Sequence, residues 1–143
     1  MKLLLLDDAL RARIAGEARA ASPRECCGLL EGVRDGDAIT VTALHPSPNL
    51  AEASDRFEID PALQFRLARA GLTIVGCYHS HPGGRAEPSV RDAEGAGEAD
   101  FVWLIAGAGG PGAFVWDGAQ FRRLAIGKSG AISRLPSAHA PIV

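Results

Sequence analysis

His79-Ser80-His81-Pro82 follows directly on an apolar run, Thr73-Ile74-Val75-Gly76-Cys77-Tyr78, and Ser89-Val90-Arg91-Asp92 lies a short distance beyond. Two histidines two residues apart on an extended chain project to the same side, because side chains alternate across a strand. Their Cβ atoms then stand roughly 6.5–7 Å apart, which lets both imidazoles converge on one ion at about 2.0–2.1 Å. Asp92 supplies a third ligand if the chain turns back on itself. Two imidazoles and one carboxylate suit Zn²⁺ with the fourth position left for water. Three protein ligands plus water mark a catalytic site, since such an ion lowers the pKa of its water to around 7. The pattern points to metal-assisted hydrolysis.

Each half of this pattern also has a plainer reading. A lone H-x-H is often two polar residues on the wet face of a strand. Here the pair sits at the carboxyl end of a buried strand, where open α/β sheets place their ligands. Serine with an acid three residues later is a helix N-terminus signature, with Asp92 in the role usually taken by Glu or Gln. The two readings of Ser89 and Asp92 are compatible, because a helix start would hold the carboxylate rigidly near the strand end.

The elements that must position these groups are legible in outline. Leu10, Ile14 and Ala18 recur at helical spacing over residues 8–20, with Asp7 or Asp8 as N-cap and Ser22-Pro23 as the stop. Residues 26–33 read as a short buried strand, Asp35-Gly36 as a hairpin turn, and residues 39–43 as a strand with one wet face. His45-Pro46-Ser47-Pro48-Asn49 reads as a loop, because two prolines in three residues oppose regular pairing, and His45 as a surface histidine. Asp60 caps a second helix with Pro61 in its first turn, Gly71 past its end and Leu63, Leu67 and Ala70 as its buried stripe. After the strand at residues 73–78 comes a short helix from residue 88 or 89 to about 99, weakened by Gly95 and Gly97. Residues 101–106, 113–116 and 120–124 read as strands, joined by a glycine-rich turn at 107–112 and by Asp117-Gly118. Trp103 and Trp116 fall inside these runs as core or half-core residues. The expectation is α/β, a single-domain mixed β-sheet with helices packed on it, over residues 1–126. The remainder, 127–143, is rich in Ser, Ala, Gly and Pro without a period and reads as a poorly ordered tail, with His139 solvated.

Composition removes several function classes. A chain of 143 residues with 47% hydrophobic and 22% charged residues suits one globular domain. A net charge of −2 without a basic stripe gives no ground for a nucleic-acid partner. No apolar run is long enough to span a bilayer, and the four leucines near the N-terminus are too few for a signal-peptide core, so a cytoplasmic protein is expected. Cys26, Cys27 and Cys77 read as small buried apolar residues rather than a disulfide framework or a zinc knuckle.

Together, His79-Ser80-His81-Pro82, Ser89, Asp92 and the upstream Glu25-Cys26-Cys27-Gly28 resemble the signature of the JAMM (MPN-plus) metalloprotease family, and the resemblance covers most of the chain. It implies a cytidine-deaminase-like fold with His79, His81 and Asp92 as Zn²⁺ ligands. It further implies Glu25 as the general base and Ser89 as the hydroxyl that stabilises the oxyanion. Spacing alone does not choose Glu25, since Glu31, Glu58, Glu87 and Glu94 are equally available. The implied reaction is hydrolysis of an amide bond at the C-terminus of a ubiquitin-like or sulfur-carrier protein with a Gly-Gly tail. A small prokaryotic-type member, removing an amino acid or adduct from such a carrier, fits the short chain. Two rivals are a non-catalytic scaffold of the same fold and a zinc deaminase. All five expected residues are present, against the first; H-x-E and P-C-x-x-C are both absent, against the second. Oligomeric state is left open.

Overall fold

The computed structural model describes residues 1–128, and its sheet closes on itself. The strand that closes it is β1 (Leu3–Leu5), part of the four-leucine run, which is parallel to β3 (Ala38–Ser47) on one side and to β7 (Phe121–Gly127) on the other. Three residues are too few to show a periodicity, so nothing in the sequence marked it as a strand. Around the closed sheet the order is β1, β3, β2 (Cys27–Asp35), β4 (Ile74–Ser80), β5 (Val102–Gly107), β6 (Gly110–Trp116) and β7. The expected mixed sheet with packed helices is present, closed rather than open.

Helix α1 (Asp8–Ala21) starts where Asp7 accepts from the Leu10 N–H at 2.8 Å. It buries Ile14 against a core that includes Leu30, Ile39, Val75, Tyr78 and Leu104. Helix α2 (Pro61–Arg69) is capped by Asp60 and buries Leu63 and Leu67 in a second cluster with Leu29, Cys77 and Trp103. Ala70, expected in its stripe, is exposed because α2 has already ended and Ala70 is its C-cap. Strand β4 carries residues of both clusters: Tyr78 joins the α1 side, while Cys77 joins the α2 side.

Two boundaries differ from expectation for physical reasons. Strand β3 continues through Pro46 to Ser47, where a loop was expected. Its partner β1 covers only Ala38, Ile39 and Thr40, so β3 is an edge strand at Pro46, the position in a sheet where proline is tolerated. Helix α3 (Val90–Gly95) stops at its first glycine, four residues short of expectation. Each glycine costs about 1 kcal/mol relative to alanine, more than so short a helix recovers. His139 and the tail beyond residue 128 lie outside the described residues, and β7 carries the sheet one residue past the expected boundary at 126. The three cysteines are free and buried, as expected. No helix among the described residues is long and apolar enough to cross a membrane.

The pairing of β4 with β5 places the motif. The two are parallel with Gly76 beside Val102, so the chain leaving β4 at Ser80 must cross back through α3 to the opposite end of the sheet, where β5 begins. A Cβ on Gly76 would run into the Val102 carbonyl oxygen and side chain. Gly76→Ala should therefore destabilise the fold by about 3 kcal/mol, as overpacked cores do. Denaturant unfolding measures this, and an unchanged midpoint would contradict the close approach.

Candidate metal centre

The ladder between β4 and β2 is antiparallel and ends at the pair Cys27–His79, which sets Glu25 beside the histidine motif from some fifty residues upstream. His81 lies one residue past β4, its N–H donating to the Ala106 carbonyl at the end of β5, 2.9 Å away. Asp92 arrives from the first turn of α3, held by a reciprocal capping box. Its N–H donates to Ser89 Oγ at 3.0 Å, and its Oδ2 accepts from the Ser89 N–H at 2.8 Å.

Three atoms meet there. His79 Nε2 and His81 Nε2 are 3.0 Å apart, and the Asp92 carboxylate lies 3.2 Å from the first and 3.3 Å from the second. A tetrahedron with ligands at 2.0–2.1 Å has edges of about 3.3 Å, so these separations match three corners of one coordination shell. The His81 tautomer agrees. His81 Nδ1 lies 3.0 Å from the Arg85 carbonyl, an acceptor, so Nδ1 carries the proton and Nε2 presents its lone pair. His79 Nδ1 is buried without a partner among the described residues.

The His79 ring is fixed on its faces and edge. Phe57 stacks on it with centroids 4.2 Å apart, and Trp103 meets it nearly at right angles at 5.9 Å. Trp103 is a core residue, as expected, and also a wall of the site. Phe57 carries no signal in the sequence that would have singled it out.

The two carboxylates nearest the imidazoles behave oppositely. Asp92 is only 5% exposed, and burial alone would raise its pKa. Hydrogen bonds with His79 and His81, together with the Ser89 N–H, outweigh that and hold it well below the usual carboxylate range. Glu25, 6% exposed, is pushed up from 4.5 to about 7 by burial, with His81 opposing and Asp92 and Asp55 adding to the rise. Its carboxylate and the two imidazoles each offer an atom within 4.8 Å of the others, so Glu25 could itself be counted as a third ligand. Asp92 is the better one, because it is nearer and ionised, whereas Glu25 sits at the distance one water spans. Burial lowers the pKa of His79, while the Asp92 hydrogen bond raises that of His81.

The remaining candidates separate cleanly. Glu31 pairs with His45 at 2.9 Å, so His45 is a half-buried strand residue rather than the expected surface-loop one. Glu87 is exposed beside Arg85 and Arg123, and Glu58 and Glu94 line the wall of a groove. Ser89 is exposed, with its Oγ accepting from Asp92 and its own proton uncommitted among the described residues. Two openings flank the centre. A groove of about 810 Å³, with Leu29, Ile59, Leu72 and Trp103 in its walls, reaches Asp92. A cleft of about 430 Å³ between α1 and the β5–β6 hairpin reaches His81. The Gly83-Gly84 pair is a turn tied by Gly84 N–H to His81 O at 2.9 Å and by Ala108 N–H to Gly84 O at 2.8 Å.

Residues 7–122 match the family model described as prokaryotic homologs of the JAB domain. A desampylase of Haloferax volcanii is 39% identical over 135 residues, 87% of this chain and 95% of that one. A protein of Thermus thermophilus named a probable TtuB-protein conjugate cleaving protease is 41% identical over 83 residues, which are 57% of this chain and 53% of that one. The solution structure of a Desulfitobacterium hafniense protein superposes with a TM-score of 0.75 at 30% identity, over 88% of this chain and 91% of its own.

The raised pKa of Glu25 has a consequence for stability. A folded-state pKa near 7 against 4.5 unfolded means the fold favours the protonated acid, so stability is complete below pH 4.5 and falls as pH rises through 7. Metal-free Glu25→Gln should therefore melt a few degrees above metal-free wild type at pH 8 and together with it at pH 4. A pH-independent offset in thermal unfolding would contradict the shift.

Proposed function

The chain belongs to the prokaryotic JAB-domain (JAMM, MPN-plus) family, and from that premise we propose that it is a zinc-dependent isopeptidase. Its substrate is an amide bond at the C-terminus of a ubiquitin-like or sulfur-carrier protein. The observation that carries this reading is the meeting of His79 Nε2, His81 Nε2 and Asp92 at 3.0–3.3 Å, beside an acid with a pKa near 7.

The donor set is what zinc takes: two neutral imidazoles and one ionised carboxylate. Held by His79, His81 and Asp92, the ion would supply Lewis acidity and a water acidified to a pKa around 7. Everything else falls to the chain. Glu25, buried beside the two histidines, takes the proton of the attacking water and hands it to the leaving nitrogen. Ser89 donates its free hydroxyl proton to the carbonyl oxygen as negative charge develops there. Phe57 and Trp103 prevent the His79 ring from turning and keep bulk water from it. The groove that reaches Asp92 accepts an extended tail such as a carrier's Gly-Gly C-terminus. The relatives named for a desampylase and for TtuB-conjugate cleavage support a carrier of this class. The five residues Glu25, His79, His81, Ser89 and Asp92 are more than a scaffold of this fold requires.

The test is to incubate zinc-loaded enzyme with carrier proteins extended beyond a C-terminal Gly-Gly and read cleavage by intact mass. Wild type should cut after the second glycine. Glu25→Gln should keep zinc and lose most turnover; undiminished turnover would remove Glu25 as the base. Ser89→Ala should lose about 10²–10³ in rate, as when one oxyanion donor is deleted. If it loses only about 1 kcal/mol of stability with turnover intact, Ser89 is a helix cap alone.

A further inference from the structure

The peptide unit that joins Glu25 to Cys26 is gripped at both ends by side chains from distant parts of the chain. Its carbonyl oxygen accepts from Asn49 Nδ2 at 2.9 Å. Its N–H donates to Ser80 Oγ at 2.8 Å. The β2–β4 ladder ends at Cys27–His79, so this unit lies beyond regular pairing. Past that pair, the Ser80 N–H donates to the Cys26 carbonyl at 3.1 Å, so one residue holds both main-chain groups of Cys26.

Neither gripping side chain is free to move. Ser80 is 1% exposed and sits between the two histidines of the motif, on the opposite face of the strand from both. Asn49 uses its amide fully. Its Nδ2 also donates to the Arg56 carbonyl at 2.9 Å, while its Oδ1 accepts from the Ala51 and Glu58 N–H groups at 2.9 and 3.0 Å. The loop so pinned is the one that carries Phe57 onto His79. By contrast, the Glu25 carboxylate makes no hydrogen bond among the described residues. What aims it is the backbone on which it stands.

We propose that Ser80 and Asn49 are positioning residues that fix the plane of the Glu25–Cys26 peptide, and through it the place of the Glu25 carboxylate opposite the histidine pair. This rests on Glu25 being the base. Losing either hydrogen bond lets the peptide tilt, and a displacement of about 1 Å in a catalytic group can cost 10²-fold in rate. The Ser80 and Asn49 side chains spend their hydrogen bonds on the main chain. Their removal should change kcat and leave KM and zinc content alone.

The experiment uses the zinc-loaded full chain and the Gly-Gly-extended carrier described above, with Ser80→Ala, Ser80→Thr and Asn49→Asp. Asn49→Asp keeps the acceptor for Ala51 and Glu58 but loses the donor to both the Glu25 and the Arg56 carbonyls, so the Glu25→Gln background is what separates aiming of Glu25 from loosening of the Phe57 loop. Each of Ser80→Ala and Asn49→Asp should lower kcat by about 10–100-fold at unchanged KM and zinc stoichiometry. The pair together should lose less than the product of the single losses, because both act on one peptide. Ser80→Thr, which keeps the hydroxyl, should restore most of the rate. In a Glu25→Gln background each change should alter residual turnover by less than about twofold, because nothing remains to be aimed. Should Ser80→Ala fail to fold, Asn49→Asp in the two backgrounds carries the comparison. Equal losses with and without Glu25, or loss of zinc in place of kcat, would overturn the proposal. Full turnover by Glu25→Gln alone would instead overturn Glu25 as the base.

Discussion

Fold and chemistry meet in one buried carboxylate. Asp92 accepts from the Ser89 N–H, lies against both imidazole nitrogens, and closes the capping box in the first turn of α3. A buried carboxylate with so many partners stays ionised, and an ionised group among them is expensive unless positive charge faces it. The two histidines are reluctant to supply that charge together, since burial disfavours it on His79. The proposed divalent cation would resolve the conflict. The parallel β4–β5 pairing, the return through α3 and the glycine that lets β4 approach Val102 all bring Asp92 to this place.

The second carboxylate gains its use from being left out of that arrangement. Glu25 is about as buried as Asp92 but has no hydrogen-bond partner for its oxygens among the described residues, so burial outweighs the opposing charge of His81 and raises its pKa. Two acids with the same chemistry are thereby driven in opposite directions, the separation that the proposed roles of ligand and base require.

Much of this was legible in the sequence, and the exceptions share one cause. The H-x-H spacing, the strand before it and the Ser-x-x-Asp helix start are local patterns, and local geometry placed them correctly. Glu25 was identifiable only by resemblance, because its position depends on the register of Cys27 with His79 across two strands far apart in the chain. The β1 strand was missed since its reality lies in its two parallel neighbours rather than in its three residues. Pro46 was read as a breaker because the sequence does not say which strand face is an edge. Asn49 fell in an expected loop and Ser80 between the motif histidines. Their hydrogen bonds to the Glu25–Cys26 peptide appear only in the fold.

The central claim is that His79, His81 and Asp92 share one zinc ion while Glu25 stands outside its shell. X-ray absorption at the zinc edge of the loaded protein reads that shell directly. The account predicts four light ligands at about 2.0–2.1 Å, two of them imidazoles, with the spectrum unchanged in Glu25→Gln. A sulfur neighbour near 2.3 Å, a single imidazole, or a shell that loses a ligand in Glu25→Gln would contradict it.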